Sequence, residues 1–135
     1  HISKVLSRND TGETGAHQSG ILIPKDQQIL SFFPTLGTDT KNPRHILTIR
    51  DEFEDRWTFA FIYYNNRYFG GTRNEYRLTR MTPFIKSQNL KAGDTITLIR
   101  DRLESFHITY SRLKEVDQNN DGILRLGTTW KVVKI

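Results

Sequence analysis

The sequence predicts a mainly β fold: a small barrel of seven or eight strands with two short helices plugging its ends. Three observations carry this. Residues 95–100 and 106–113 alternate apolar with polar side chains, the two-residue period of a half-buried strand. Turn-forming residues separate the β-prone runs at the spacing of sandwiches and barrels. Helical periodicity is confined to brief stretches. At 135 residues, one domain over 1–135 is expected, with a core that needs no staples.

In chain order, residues 2–6 form a β-prone run that leads into the polar segment 7–20. That segment has three glycines and almost no apolar side chain, so it is expected to be a loop outside the core. Unstructured loops of this length are usually functional or disordered. Ile21-Leu22-Ile23 resumes as a strand and Pro24 ends it. Within 25–33, Ile29, Leu30 and Phe33 recur at helical spacing, predicting a short helix stopped by Pro34. Residues 36–44 carry no apolar period and are loop. Residues 46–50 are a strand, the acidic 51–55 a solvated turn, and 57–64 a long strand rich in aromatic residues. Residues 77–80 return as its hairpin partner. Thr82 at an N-cap with Pro83 at the first helical position predicts the second helix. Residues 90–94 turn tightly into 95–100, which pairs with 106–113, and 130–135 is the last strand. No internal repeat or low-complexity tract is apparent.

Composition narrows the chemistry. With no cysteine, disulfides and thiolate zinc sites are excluded and the redox compartment is unreadable. No apolar run approaches the roughly 20 residues of a membrane span. The first residues do not resemble a signal peptide, and a start on His1 suggests a piece of something longer. A net charge of +5 and a pI near 9.6 favour a polyanionic partner. The charge is polarised: residues 64–80 carry +3 and residues 50–56 carry −2.

Catalytic and metal motifs are weak. Residues 117–122 begin like an EF-hand loop, but Thr128 stands where a bidentate Glu belongs, so a polar turn is expected. His1, His17, His45 and His107 lack zinc-ligand spacing. Asp39-Thr40-Lys41 matches half of a metal-nuclease pattern, a tripeptide common by chance. There is no nucleophile elbow and no phosphate-cradling glycine loop. No cofactor is expected.

The chemistry gathers in residues 63–80, with Arg67, Arg73, Arg77 and Arg80 against the single acid Glu75. Gly70-Gly71 permits a sharp backbone excursion. Arg forks pair with guanine, Asn with adenine, and Glu accepts from cytosine N4 in a major groove. Arg73 and Glu75, two residues apart, are expected on one side of an extended arm. Arg8, Arg67 and Arg80 suit phosphates, which set register. On composition alone, a solvated hairpin whose arginines keep an edge soluble stands equally open.

Two stretches together resemble one family. Asn9-Asp10-Thr11-Gly12-Glu13-Thr14-Gly15-Ala16-His17-Gln18-Ser19-Gly20, followed by Ile23-Pro24, resembles the first recognition arm of the EcoRII N-terminal effector-binding domains. Residues 62–80 resemble the second arm. Residues 90–94 with the strand after them are similar to the plant B-three transcription-factor domain, which shares the pseudobarrel. The resemblance implies two projecting arms that grip double-stranded DNA at a short specific site. It also implies a non-catalytic domain fused to a separate nuclease domain in a prokaryotic cytoplasmic restriction endonuclease, with no membrane association. It points to Lys4, Asp10, Thr11, Thr14, His17 and Gln18 in the first arm, and to Asn66, Arg67, Thr72, Arg73, Asn74, Glu75 and Arg77 in the second. Gly71 and Tyr76 stand where the family has basic residues, and Glu13, a further arm candidate, replaces a small one.

Two other functions compete with this one. A compact metal-dependent nuclease would use Asp39, Lys41 and the acids of 51–55. A protein-interaction barrel would use the aromatic residues.

Overall fold

The alternation that marks residues 95–100 places Ile96 and Leu98 inside a sheet that the rest of the chain extends. The computed structural model describes residues 1–14, 20–37, 39–113 and 130–133. Its strands are β1 (Ile2–Val5), β2 (Ile21–Ile23), β3 (Arg44–Arg50), β4 (Arg56–Tyr64), β5 (Glu75–Thr79), β6 (Thr95–Arg100), β7 (Phe106–Ser111) and β8 (Trp130–Val132). They form one sheet in the order β2-β5-β4-β3-β7-β6-β1-β8. Neighbours are antiparallel except β3 and β7, which run parallel. The sheet curls until its outermost strands meet: Trp130 Nε1 on β8 donates to the Leu22 carbonyl on β2 at 3.1 Å. This is the B-three-like pseudobarrel expected from the sequence.

Phe59, Ala60, Phe61 and Ile62 are buried consecutively. Successive strand residues face opposite ways, so β4 is covered on both faces. Helix α3 (Thr82–Ser87) seats Phe84 edge-on against Trp57, Phe59 and Tyr110. Helix α2 (Gln27–Leu30), capped by Asp26, leads Phe33 onto the Phe61 ring, stacked at 4.4 Å.

Several expectations are corrected. The polar segment 7–20 contains a one-turn helix, α1 (Arg8–Thr11), because Ser7 and Asp10 cap each other's backbone N–H. Asp10 is buried, so the segment does not stand wholly outside the core. Helix α3 begins at Thr82 with Met81 in the N-cap position and no side-chain cap. β3 starts two residues early because its ladder with β4 runs out to Arg44 opposite Ile62. The calcium-like stretch 117–122 lies outside the described residues.

The chain also repeats itself. In the β3–β4 turn, Asp51 Oδ1 accepts from the Phe53 and Asp55 amides at 2.8 and 3.0 Å, and Oδ2 accepts from Trp57 Nε1 at 3.0 Å. In the β6–β7 turn, Asp101 Oδ1 accepts from the Leu103 and Ser105 amides, both at 2.9 Å, and Oδ2 meets His107 Nε2 at 2.9 Å. Glu54 and Glu104 both adopt positive φ and pair with Arg50 and Arg100. The repeat escapes sequence inspection because its shared residues are few. Nor is Asp51 solvated: it is 7% exposed. Burial opposes its charge, but the indole and two amides outweigh that and hold the carboxyl below its ordinary value.

The β3–β7 pairing, Ile49 opposite Phe106 and Arg50 opposite His107, sets these twin turns side by side. β4 runs away from one turn to Tyr64, and β1, antiparallel to β6, runs away from the other. The polar segments after β1 and β4 meet across one cleft, lined in part by Asp10, Gly20, Tyr64 and Arg73.

Candidate nucleic-acid interface

The first arm is anchored from below. Asp10 Oδ2 accepts from the Ser7 amide at 2.9 Å and pairs with Lys4 Nζ. Lys4 on β1 and Asp10 are only 2% and 6% exposed, so both lie beneath the arm and hold its root. Gly12, at φ 80°, ends α1 in the left-handed region. Glu13 accepts from the Ala92 amide at 3.3 Å, tying the arm to the turn before β6. Thr11 bonds back to the Arg8 carbonyl at 3.2 Å, and Thr14 to Asn9 Oδ1 at 3.4 Å. Arg8, Glu13 and Thr14 are exposed. His17 and Gln18 lie outside the described residues.

The arm re-enters the sheet at Gly20. Its φ is 88°, and a Cβ there would sit 2.5 Å from the Leu78 carbonyl oxygen. Only glycine lets β2 pair so closely with β5.

The second arm leaves β4 at Asn65, whose buried amide donates to the Thr40 carbonyl at 3.0 Å and accepts from the Asn42 amide at 2.7 Å. A 3-10 turn (Asn66–Phe69) follows, and the loop closes through Arg67 N to Arg73 O at 3.0 Å. Gly70 supplies φ 91°. Gly71 supplies closeness, since a Cβ there would lie 2.7 Å from Asn66 Cβ. Arg67, Tyr68, Phe69 and Thr72 are exposed at the tip.

Returning toward β5, Arg73 lies 3.8 Å over the Tyr64 ring and bonds Glu75 Oε1 at 2.7 Å. Arg77 Nε approaches the same oxygen at 3.2 Å, and its Nη1 donates to the Gly20 carbonyl at 3.1 Å. Burial opposes the Glu75 charge, yet the two guanidinium groups hold its carboxyl below the ordinary range. Arg73 and Glu75 thus share one side of the arm. Arg80, at φ 65°, is exposed. Between the arms lies a cleft of about 360 Å³, lined in part by Asp10, Gly20, Tyr64, Arg73 and Arg80. Beside it, the Arg73 and Arg77 guanidinium groups and the Glu75 carboxylate form one ion-paired array.

Sequence inspection missed Ser7, Tyr63, Tyr64 and Asn65, which position the arms. The signal for the tyrosines was available in part: two aromatic residues closing a strand beside an arginine-rich loop. Asp51 spends both oxygens inside its turn, and no three His, Cys, Asp or Glu gather to hold a metal among the described residues.

The comparisons agree with this architecture. Residues 1–97 match the family model described as Restriction endonuclease EcoRII, N-terminal. The chain is 39% identical over 104 residues to the Type II restriction enzyme EcoRII of Escherichia coli, covering 75% of this chain and 26% of the relative. It is 32% identical over 98 residues to auxin response factor 5 of Arabidopsis thaliana, covering 73% of this chain and 10% of the relative. The chain therefore spans about a quarter of the first relative's length and a tenth of the second's. Among solved structures, an Arabidopsis FUS3–DNA complex superposes with a TM-score of 0.63 at 19% identity, over 83% of this chain and 96% of that one. The eight-stranded pseudobarrel and a family match over most of the chain lead to one conclusion: the chain belongs to the EcoRII N-terminal family of restriction endonucleases.

Proposed function

We propose that this chain binds double-stranded DNA at a short specific sequence, its two arms entering the major groove. It acts as the target-recognition or effector domain of a restriction endonuclease, linked to a separate nuclease domain and without chemistry of its own. The observation that carries this reading is the Arg73–Glu75–Arg77 array beside the interarm cleft. Arg forks and a carboxylate at such a position match the donor and acceptor pattern of base edges. Arg8, Arg67 and Arg80 are exposed and suited to phosphates, whose contacts fix register. These part-exposed ion pairs contribute little to stability, so exchanging them for base contacts costs the fold little.

The test is selection from randomised duplexes at near-physiological salt, followed by two variants. Arg73→Ala is expected to cost about 1–3 kcal/mol and relax preference at one base pair, whereas Arg80→Ala weakens all sequences alike. Equal losses on selected and scrambled duplexes for Arg73→Ala would remove its base-reading role. Affinity that does not fall with salt would point to a protein partner instead.

A further inference from the structure

Arg73 is held in two directions. In the plane of its guanidinium group, Nε and Nη2 both donate to Glu75 Oε1, at 3.1 and 2.7 Å. Across that plane, its central carbon lies 3.8 Å from the centre of the Tyr64 ring. Only a stack brings that carbon so near, since an N–H aimed at the ring would hold it farther off. The strand register sets the ring there. Tyr64, the last residue of β4, is directly opposite Glu75, and Ile62 is opposite Arg77. Cross-strand partners share a face, so Tyr64 stands on the side of the arm that carries Glu75 and Arg77. Tyr63 turns the other way, onto Tyr76. Tyr64 and Arg73 line the interarm cleft together. The next residue, Asn65, pins the strand end to Thr40 and Asn42.

We propose that Tyr64 is a specificity-determining positioning residue: its ring face keeps the Arg73 guanidinium group in the cleft while the in-plane donors pass from Glu75 to a guanine edge. The proposal rests on the DNA-reading function above. A base accepts hydrogen bonds in the guanidinium plane, where every N–H lies. It therefore competes with Glu75 and leaves the stacked face alone. Without the ring, Arg73 loses the contact that fixes its plane once Glu75 lets go.

The experiment compares the 135-residue chain with Tyr64→Phe, Tyr64→Leu, Arg73→Ala and the double variant of the last two. Each is put through selection from randomised duplexes and a salt titration of affinity. Tyr64→Phe keeps the ring and should keep the motif. Tyr64→Leu removes the π face and should lower discrimination about three- to tenfold at the base pair that flattens in Arg73→Ala. The salt slope should not change, because no phosphate contact is lost. Adding Tyr64→Leu to Arg73→Ala should change nothing more at that pair, since coupled residues are not additive. Phenylalanines of increasing fluorination at position 64 then separate the charge of the ring from its bulk. Fluorine draws negative charge off the ring face, so discrimination at the same pair should fall step by step along the series.

The proposal is overturned if Tyr64→Leu leaves the motif unchanged, weakens every duplex equally, or adds to Arg73→Ala. Loss of the motif in Tyr64→Phe overturns it too, because the hydroxyl and not the ring face would then be what acts. A fluorinated series that discriminates as well as Tyr64→Phe is equally fatal, however Tyr64→Leu folds. Failure of the parent chain itself to select any motif would instead overturn the DNA-reading function.

Discussion

Replacing Lys4 by Met tests whether the first arm is held from inside the barrel. The Lys4 and Asp10 side chains are 1% and 8% exposed and paired with each other. Met matches the length and apolar stem of Lys but removes the cation beside Asp10. Breaking a buried ion pair from one side costs about 3–5 kcal/mol. Asp10 keeps its 2.9 Å bond from the Ser7 amide, which places the expected loss near the lower end, about 3 kcal/mol. That is a large share of the roughly 5–15 kcal/mol holding a domain folded. Urea unfolding followed through Trp57 and Trp130 should show a lower midpoint with an unchanged slope. Adding Asp10→Asn should recover most of the loss, because the amide oxygen still caps Ser7 and no charge is buried. DNA affinity should fall with its salt dependence intact. An unchanged urea midpoint with a salt slope reduced by about one would refute the argument, since that is the signature of a lost phosphate contact.

Three other outcomes follow from the same geometry. The Asp51 carboxyl is held below the 3.8 of a free aspartate. Its contribution is therefore complete above that value and lost as pH falls through the lowered one. Asp51→Asn should be less stable at neutral pH by about 1–3 kcal/mol, and its stability should fall less steeply below pH 4 in an acid titration. Gly20→Ala drives a Cβ to 2.5 Å from a backbone carbonyl, and its thermal midpoint should drop well beyond that of Gly12→Ala. The latter meets nothing within 4 Å and is expected to cost only the left-handed penalty of about 1–2 kcal/mol. Asn65→Ala, which removes the anchors to Thr40 and Asn42, should raise hydrogen exchange in 39–43 and lower affinity for every duplex.

Much of the architecture was legible from residue patterns because it is local. Two-residue alternation marks β6 and β7, and the proline and glycine punctuation bounds β2 and the second arm. The second arm was legible as a polar, glycine-bearing excursion between two strands, while on composition alone its arginines stood equally open to a solvated edge. The helix α1 was not legible as an element, because a single capped turn has no apolar period to betray it.

What the sequence by itself determined was the class of the fold, the two arms and the residue types that meet in them. The tertiary structure alone decided which of those residues face outward. Lys4 and Asp10 have the polarity of surface groups, yet the β1–β6 and β1–β8 pairings enclose Lys4 and bring Asp10 to it. Arg73, Glu75 and Arg77 become one array only because β5 holds Glu75 and Arg77 on one side, next to Arg73 just before it, while Tyr64 and Gly20 arrive from distant parts of the chain. The physical reason is range: a pattern of neighbours specifies a strand, but burial and charge pairing are settled by contacts between segments far apart in the chain.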